Sequence, residues 1–91
     1  MIFRRTERFL KAFQLLPADN QRKTLKALAK LGQNPRHPSL EMKKLQGRDG
    51  VWEARVDQKY RFTVHFERNA EGEAICVLRN VDNHDECLKK P

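Results

Sequence analysis

The sequence predicts an α+β domain: two N-terminal antiparallel helices packed on a mainly antiparallel four-stranded sheet, followed by a short C-terminal helix. Three observations lead there. Over the first third of the chain, apolar residues recur at helical spacing. Beyond Gly47 and Gly50 the period drops to two. From Ala74 to Val81 the run is nearly continuously apolar, as in a central strand covered on both faces. The 91 residues contain no repeat, low-complexity tract or Gly/Ser linker, so residues 1–91 are expected to form a single domain.

Taken in order, Ile2 to Arg5 is a candidate strand. Phe9, Phe13 and Leu16 fall at i, i+4 and i+7, with Leu10 beside them, and predict a helix from Thr6 to the break at Pro17. Ala18-Asp19-Asn20 opens a second helix whose apolar stripe is Leu25, Leu28 and Leu31, backed by a basic stripe of Arg22, Lys26 and Lys30. Gly32 is expected to stop it. Pro35 and Pro38 make the next stretch a loop. Trp52, Ala54 and Val56 then alternate with Glu53 and Arg55, and Tyr60, Phe62, Val64 and Phe66 alternate with Arg61, Thr63 and His65. Asn69 to Glu73 is a second turn, and Asn83 to Lys90 reads as a short helix.

Nineteen Lys+Arg against twelve Asp+Glu leave a net charge of +7, which favours an anionic partner such as nucleic acid or an acidic protein. With 38% hydrophobic residues the chain can fill one small core, without room for a large enclosed substrate cavity. No apolar run approaches the roughly 18 residues of a membrane span. Met1-Ile2-Phe3-Arg4-Arg5 has no apolar stretch behind its charges, so it is not read as a secretory signal. Cys76 and Cys87 are accordingly expected to be reduced thiols in the cytoplasm. The three histidines and two cysteines match no metal-ligand spacing, so neither a metal nor a cofactor is expected.

The first hairpin carries the chemistry. With Asp57-Gln58-Lys59 as its turn, Arg55 pairs with Arg61, Ala54 with Phe62 and Glu53 with Thr63. That register keeps every apolar residue on one face, and a slip of one residue would mix the faces. It also opposes two arginines on the solvent side, an arrangement that calls for an anion between them. Either Glu53 neutralises the pair, or the two guanidiniums form a phosphate clamp. His84 follows the central strand, where Asn83 and Glu86 resemble a helix cap and its reciprocal partner. It is either an exposed residue of a plain capping segment or a proton-transfer group beside a bound phosphate. Between the two titratable candidates, His84 is expected to be the principal one, because Arg55 lies two residues from Glu53 on the same face and engages its carboxylate. Lys43, Lys44, Arg48 and Lys59, together with Lys26 and Lys30 of the helical stripe, suit a phosphate-tracking surface, although the stripe is equally a solvated face. Trp52 and Tyr60 fall on the core side by parity and are read as core.

Phe13, Leu25, Leu28, Asn34-Pro35, Lys44-Leu45-Gln46-Gly47, Trp52-Glu53-Ala54-Arg55-Val56, Tyr60-Arg61 and Asn83-His84-Asp85, in this order, resemble the RelE/ParE superfamily of type II toxin–antitoxin toxins over nearly the whole chain. The likeness is nearer the RelE-type ribonucleases than the gyrase-poisoning ParE type. It implies a metal-independent endoribonuclease that cleaves mRNA, in the ribosomal A site, by attack of the 2′-OH on the adjacent phosphate. By position, Arg55 and Arg61 would bind phosphate and stabilise the transition state, His84 would stand at a catalytic position, and Lys44 would lie near the basic segment entering the sheet. The resemblance also implies a cognate acidic antitoxin, contact with operator DNA only through the antitoxin complex, and no membrane. Two positions depart from the pattern. Glu53 stands where some ribonuclease members are basic, and Cys87-Leu88 stands where many carry a tyrosine or phenylalanine. A ParE-type toxin acting on a protein target and a non-catalytic RNA-binding module are the alternative readings.

Overall fold

In a computed structural model describing residues 1–91, the elements run β1 (Ile2–Arg5), α1 (Glu7–Gln14), α2 (Ala18–Gln33), a 3₁₀ turn (Pro38–Leu40), β2 (Lys43–Lys44), β3 (Val51–Arg55), β4 (Tyr60–Arg68), β5 (Ala74–Asn83) and α3 (His84–Lys89). The strands form one sheet in the order β1-β5-β4-β3-β2, parallel between β1 and β5 and antiparallel elsewhere. The α+β architecture is the expected one. The sheet has one strand more than the four read from the sequence, because Lys43 and Lys44 pair with Glu53 and Trp52 along its far edge.

Thr6 caps α1, its Oγ1 accepting the Phe9 N–H at 3.0 Å. Phe9 and Leu16 then join Ala27 and Leu31 of α2 against Ala54, Phe62, Val64, Leu78 and Val81 of the sheet. The buried positions of α2 are Thr24, Ala27 and Leu31, with Leu28 partly buried, whereas Leu25 is 57% exposed. The expected stripe is therefore rotated: small residues at 24 and 27 face the sheet, and Leu25 points away. Gly32 does not end α2, which runs through Gln33. Its use is close approach, since a Cβ there would sit 3.2 Å from the Phe3 ring of β1.

The hairpin register is the expected one, with Arg55 opposite Arg61, Ala54 opposite Phe62 and Glu53 opposite Thr63. A bulge between Thr63 and Val64 in the β4–β5 pairing takes up one extra residue of β5. It lets Leu78 and Val81 both reach the helical core.

The apolar run of β5 is covered on both faces, as expected of a central strand, with Cys76, Val77 and Leu78 all buried. What departs from expectation is that the cover on the polar face extends to Glu53. That face is not open to solvent at its centre, because α3 and the residues after it lie across it. Glu53, Thr63, Val77 and Cys87 are all buried. Thr63 Oγ1 and Arg79 Nε donate to the Pro91 main-chain oxygen at 2.8 and 3.0 Å, and Asn80 Nδ2 donates to that of Lys90 at 2.9 Å. No helix is long and apolar enough to cross a membrane.

Candidate active site

Glu53 is the centre of the covered face. Only 2% of the residue is exposed, and a carboxylate withdrawn this far from water has to be paired. Its Oε1 lies 3.3 Å from Arg61 Nε, 3.8 Å from His84 Nε2 and 3.9 Å from Lys43 Nζ. One buried carboxylate thus meets two permanent cations and an imidazole, whose Nδ1 in turn lies 3.6 Å from Asp85 Oδ1. With Glu41, Met42, Lys43 and Arg61, Glu53 walls a cleft of about 360 Å³.

Separate elements deliver these groups. Lys43 comes from β2, directly across from Glu53. Arg61 is the second residue of β4, and His84 opens α3. As the sequence suggests, Asn83 caps that helix, its Oδ1 accepting the Glu86 N–H at 3.0 Å.

The turn between β3 and β4 holds the parts together. Asp57 Oδ1 accepts the backbone N–H groups of Lys59 and Tyr60, each at 2.8 Å, while Oδ2 takes Asn20 Nδ2 at 3.3 Å and Lys23 Nζ at 3.4 Å. Burial alone would raise the Asp57 carboxyl. The N–H groups of Tyr60 and Lys59, with Lys23, outweigh it and hold the carboxyl below the usual range. The Asp57 main-chain oxygen accepts from Arg61 Nη1 at 2.6 Å and Arg55 Nε at 3.3 Å, and that of Lys59 accepts the His84 N–H at 2.6 Å. One turn therefore orients both arginines and the start of α3.

Arg55 and Arg61 do not share Glu53. Arg55 Nη1 turns instead to Glu41 Oε2 at 3.0 Å, leaving Glu53 to Arg61 and His84. Glu41 reaches this position on a left-handed backbone (φ 44°) that closes the 3₁₀ turn. The expected Glu53–Arg55 pairing is thus corrected: the guanidinium against Glu53 is that of Arg61. Cys87 lies under the same face as a neutral thiol. Burial, helped by Asp82, pushes it up to about 11, and burial pushes Cys76 up to about 12.

No family model and no curated protein sequence matches the chain. Solved structures do match it. A YoeB/ParE toxin from Agrobacterium tumefaciens superimposes with a TM-score of 0.74 at 17% identity, over 92% of this chain and 99% of that one. YafQ from E. coli gives 0.73 at 13% identity, over 92% and 93%. An archaeal RelE–RelB complex from Pyrococcus horikoshii gives 0.66 at 20% identity, over 90% and 92%. The fold is the RelE/ParE toxin fold.

On this RelE/ParE fold the anticipated residues divide into groups. Glu53, Arg61, His84 and Lys43 meet, and Arg55 adjoins them through the Asp57 oxygen. Lys59 and His84 share a shallow cleft of about 530 Å³ beside that centre. Lys44 lies elsewhere, 5.5 Å from the centroid of the Trp52 ring. Lys26 and Lys30 line a third cleft of about 380 Å³ with Arg55 and Asp57, and Lys30 Nζ reaches Ser39 Oγ at 3.3 Å. Arg48 is exposed in the turn before β3. Sequence reasoning missed Glu41 and Asp57. A cue for Asp57 was available, because an Asp opening a tight turn accepts the N–H groups two and three residues on.

Proposed function

We propose that this chain is the toxin of a type II toxin–antitoxin module and an endoribonuclease that cleaves translated mRNA. The observation that carries the reading is the buried Glu53 carboxylate with Arg61, Lys43 and His84 gathered on it, where the cleft lined by Glu53, Lys43 and Arg61 neighbours the one lined by His84. A phosphodiester seated there meets the positive charge of Arg61, whose Nη1 is held by the Asp57 and Tyr60 main-chain oxygens, and of Lys43, with Arg55 adjoining through the Asp57 oxygen. Glu53 takes the proton of the ribose 2′-OH as its oxygen bonds to phosphorus. Protonated His84 delivers a proton to the departing 5′-oxygen as the P–O5′ bond breaks. The products are a 2′,3′-cyclic phosphate and a 5′-hydroxyl, and every proton moved is taken up or supplied by a side chain of the site. Burial helps because Glu53 is held by fixed partners instead of mobile water.

Lys44, Arg48, Lys59, Lys26 and Lys30 extend the positive surface around this centre and would track the phosphates of RNA and of the ribosome. The net charge of +7 also suits an acidic antitoxin. Among the proteins of the same fold, those from Pyrococcus horikoshii and Methanococcus jannaschii were solved as toxin–antitoxin complexes. The action belongs in the cytoplasm, where translated mRNA is found.

The test is primer extension on translated transcripts after induction, comparing the wild type with Arg61→Ala at matched expression. Loss of an electrostatic clamp on developing charge costs about 3 kcal/mol, or roughly a hundredfold in rate. New 5′ ends within coding sequence are expected for the wild type and not for a folded Arg61→Ala variant. Growth arrest without new ends would instead favour a toxin acting on a protein target.

A further inference from the structure

Trp52 of β3 and Phe66 of β4 alternate onto the helical side of the sheet, yet toward its β2 end they are not sealed into the core. Phe66 is 39% exposed, and Trp52 is half-buried beside a pocket of about 500 Å³ roofed by the loop after α2. Its floor is apolar, formed by Trp52, Phe66 and Met42 with two loop prolines. Its rim is not. Arg36 is exposed, and its one hydrogen bond is made by the backbone N–H to Asn34 Oδ1 at 3.0 Å. His37 Nδ1 accepts the Ser39 N–H at 3.2 Å, which places the proton of the neutral ring on Nε2 as a donor. Lys44 Nζ stands 5.5 Å from the Trp52 ring centroid.

A ligand that satisfies all of this has flat apolar faces for Trp52 and Phe66, acceptors on its edge for Arg36 and His37, and an attached negative charge for Lys44. A nucleotide has those features. An apolar protein side chain would fill the floor but leave the rim donors without acceptors and the cations without an anion. The two sites lie on opposite faces of the sheet, but Glu41 and Met42, at its β2 edge, wall both this pocket and the Glu53–Arg61 cleft, so a strand that rounds this edge reaches both. We propose that the Trp52 pocket is a nucleobase-binding subsite for single-stranded RNA. The subsite's place along the substrate rests on the ribonuclease reading, whereas its ligand chemistry rests on its own walls.

Trp52 is the chain's single tryptophan, so intrinsic fluorescence reports on this pocket alone. The His84→Ala protein is titrated with a short 2′-O-methyl oligoadenylate, which cannot be cleaved, and with an abasic ribose-phosphate strand of equal length. The oligoadenylate is expected to quench Trp52 and to bind at least about tenfold more tightly than the abasic strand. Phe66→Ala, at an exposed and uncharged position, should remove most of that preference by weakening the oligoadenylate more than the abasic strand. Equal binding of the two strands without quenching would overturn the proposal. So would quenching by an acidic apolar peptide with none by the oligonucleotide. Quenching by oligoadenylate in a protein whose wild type cuts no RNA would sustain the subsite and refute the nuclease. Cleavage without quenching would refute the subsite alone.

Discussion

Replacing Asp57 tests how the site is held, because this side chain lies behind the two arginines and their partners. Asp57→Ala removes the acceptor for two backbone N–H groups at 2.8 Å and for Asn20 Nδ2 at 3.3 Å. At about 1 kcal/mol for each of the two short bonds, the expected loss is about 2 kcal/mol, comparable to removing a helix cap. For a domain of this size that lowers the melting temperature by roughly 8–16 °C. Asp57→Asn keeps an acceptor for the two N–H groups and should lose less than half as much. The pH dependence supplies a second criterion. The Asp57 carboxyl is held below its ordinary value in the folded protein. Its contribution is therefore fully present above the unfolded value of about 3.9 and is lost as the pH falls through the lower folded one. The wild type should lose stability in acid relative to Asp57→Asn, and the two should converge at the lowest pH. Circular-dichroism melts of the three proteins across pH 2–7 measure this directly. Equal melting temperatures for wild type and Asp57→Ala, or equal losses for Ala and Asn, would refute the argument.

Two further outcomes follow from the surface and from the buried thiols. RNA affinity should fall steeply with salt, and Lys26→Ala with Lys30→Ala should reduce the slope by about 0.7 for each RNA phosphate that these lysines neutralise, without moving the cleavage positions; an unchanged slope removes that cleft from RNA binding. Cys76 and Cys87 are buried and held at about 12 and 11, so iodoacetamide at pH 8 should label neither in the folded protein and both in denaturant. Rapid labelling of the native chain would contradict the buried placement.

Parity decided which parts of the structure were legible in the sequence. The β3–β4 hairpin was readable to the residue because only one register keeps Ala54, Phe62 and Val64 together. The α3 cap was readable because Asn83 is a cap-forming residue, but the reciprocal bond expected of Glu86 is not made, since the Asn83 N–H donates to Asp82 Oδ1 at 2.8 Å. The buried face of α2 was not, since Thr24 and Ala27 pack on the sheet while the larger Leu25 stays outside. Hydrophobicity ranks Leu25 first, but helix-to-sheet approach selects small side chains. The covering of Glu53 was also hidden, because the six residues of α3 are too few to show a period. Without that cover, Glu53 reads as a surface partner of Arg55 instead of the carboxylate on which Arg61 and His84 converge. Trp52 followed its parity and still escaped full burial, because beyond it the sheet has only the two-residue β2, and the loop after α2 leaves a pocket over the ring.

The division of labour between Glu53 and His84 is the central claim, and one substrate tests it directly. In RNA carrying sulfur in place of the bridging 5′-oxygen at the scissile linkage, the leaving group departs as a thiolate and needs no proton. On ordinary RNA, His84→Ala and Glu53→Gln should each lower cleavage by about 10²–10⁴-fold. On the sulfur-bridged substrate, His84→Ala should recover nearly the wild-type rate and Glu53→Gln should stay slow. Recovery of Glu53→Gln instead, or of neither variant, would contradict the assignment of His84 as the acid and Glu53 as the base.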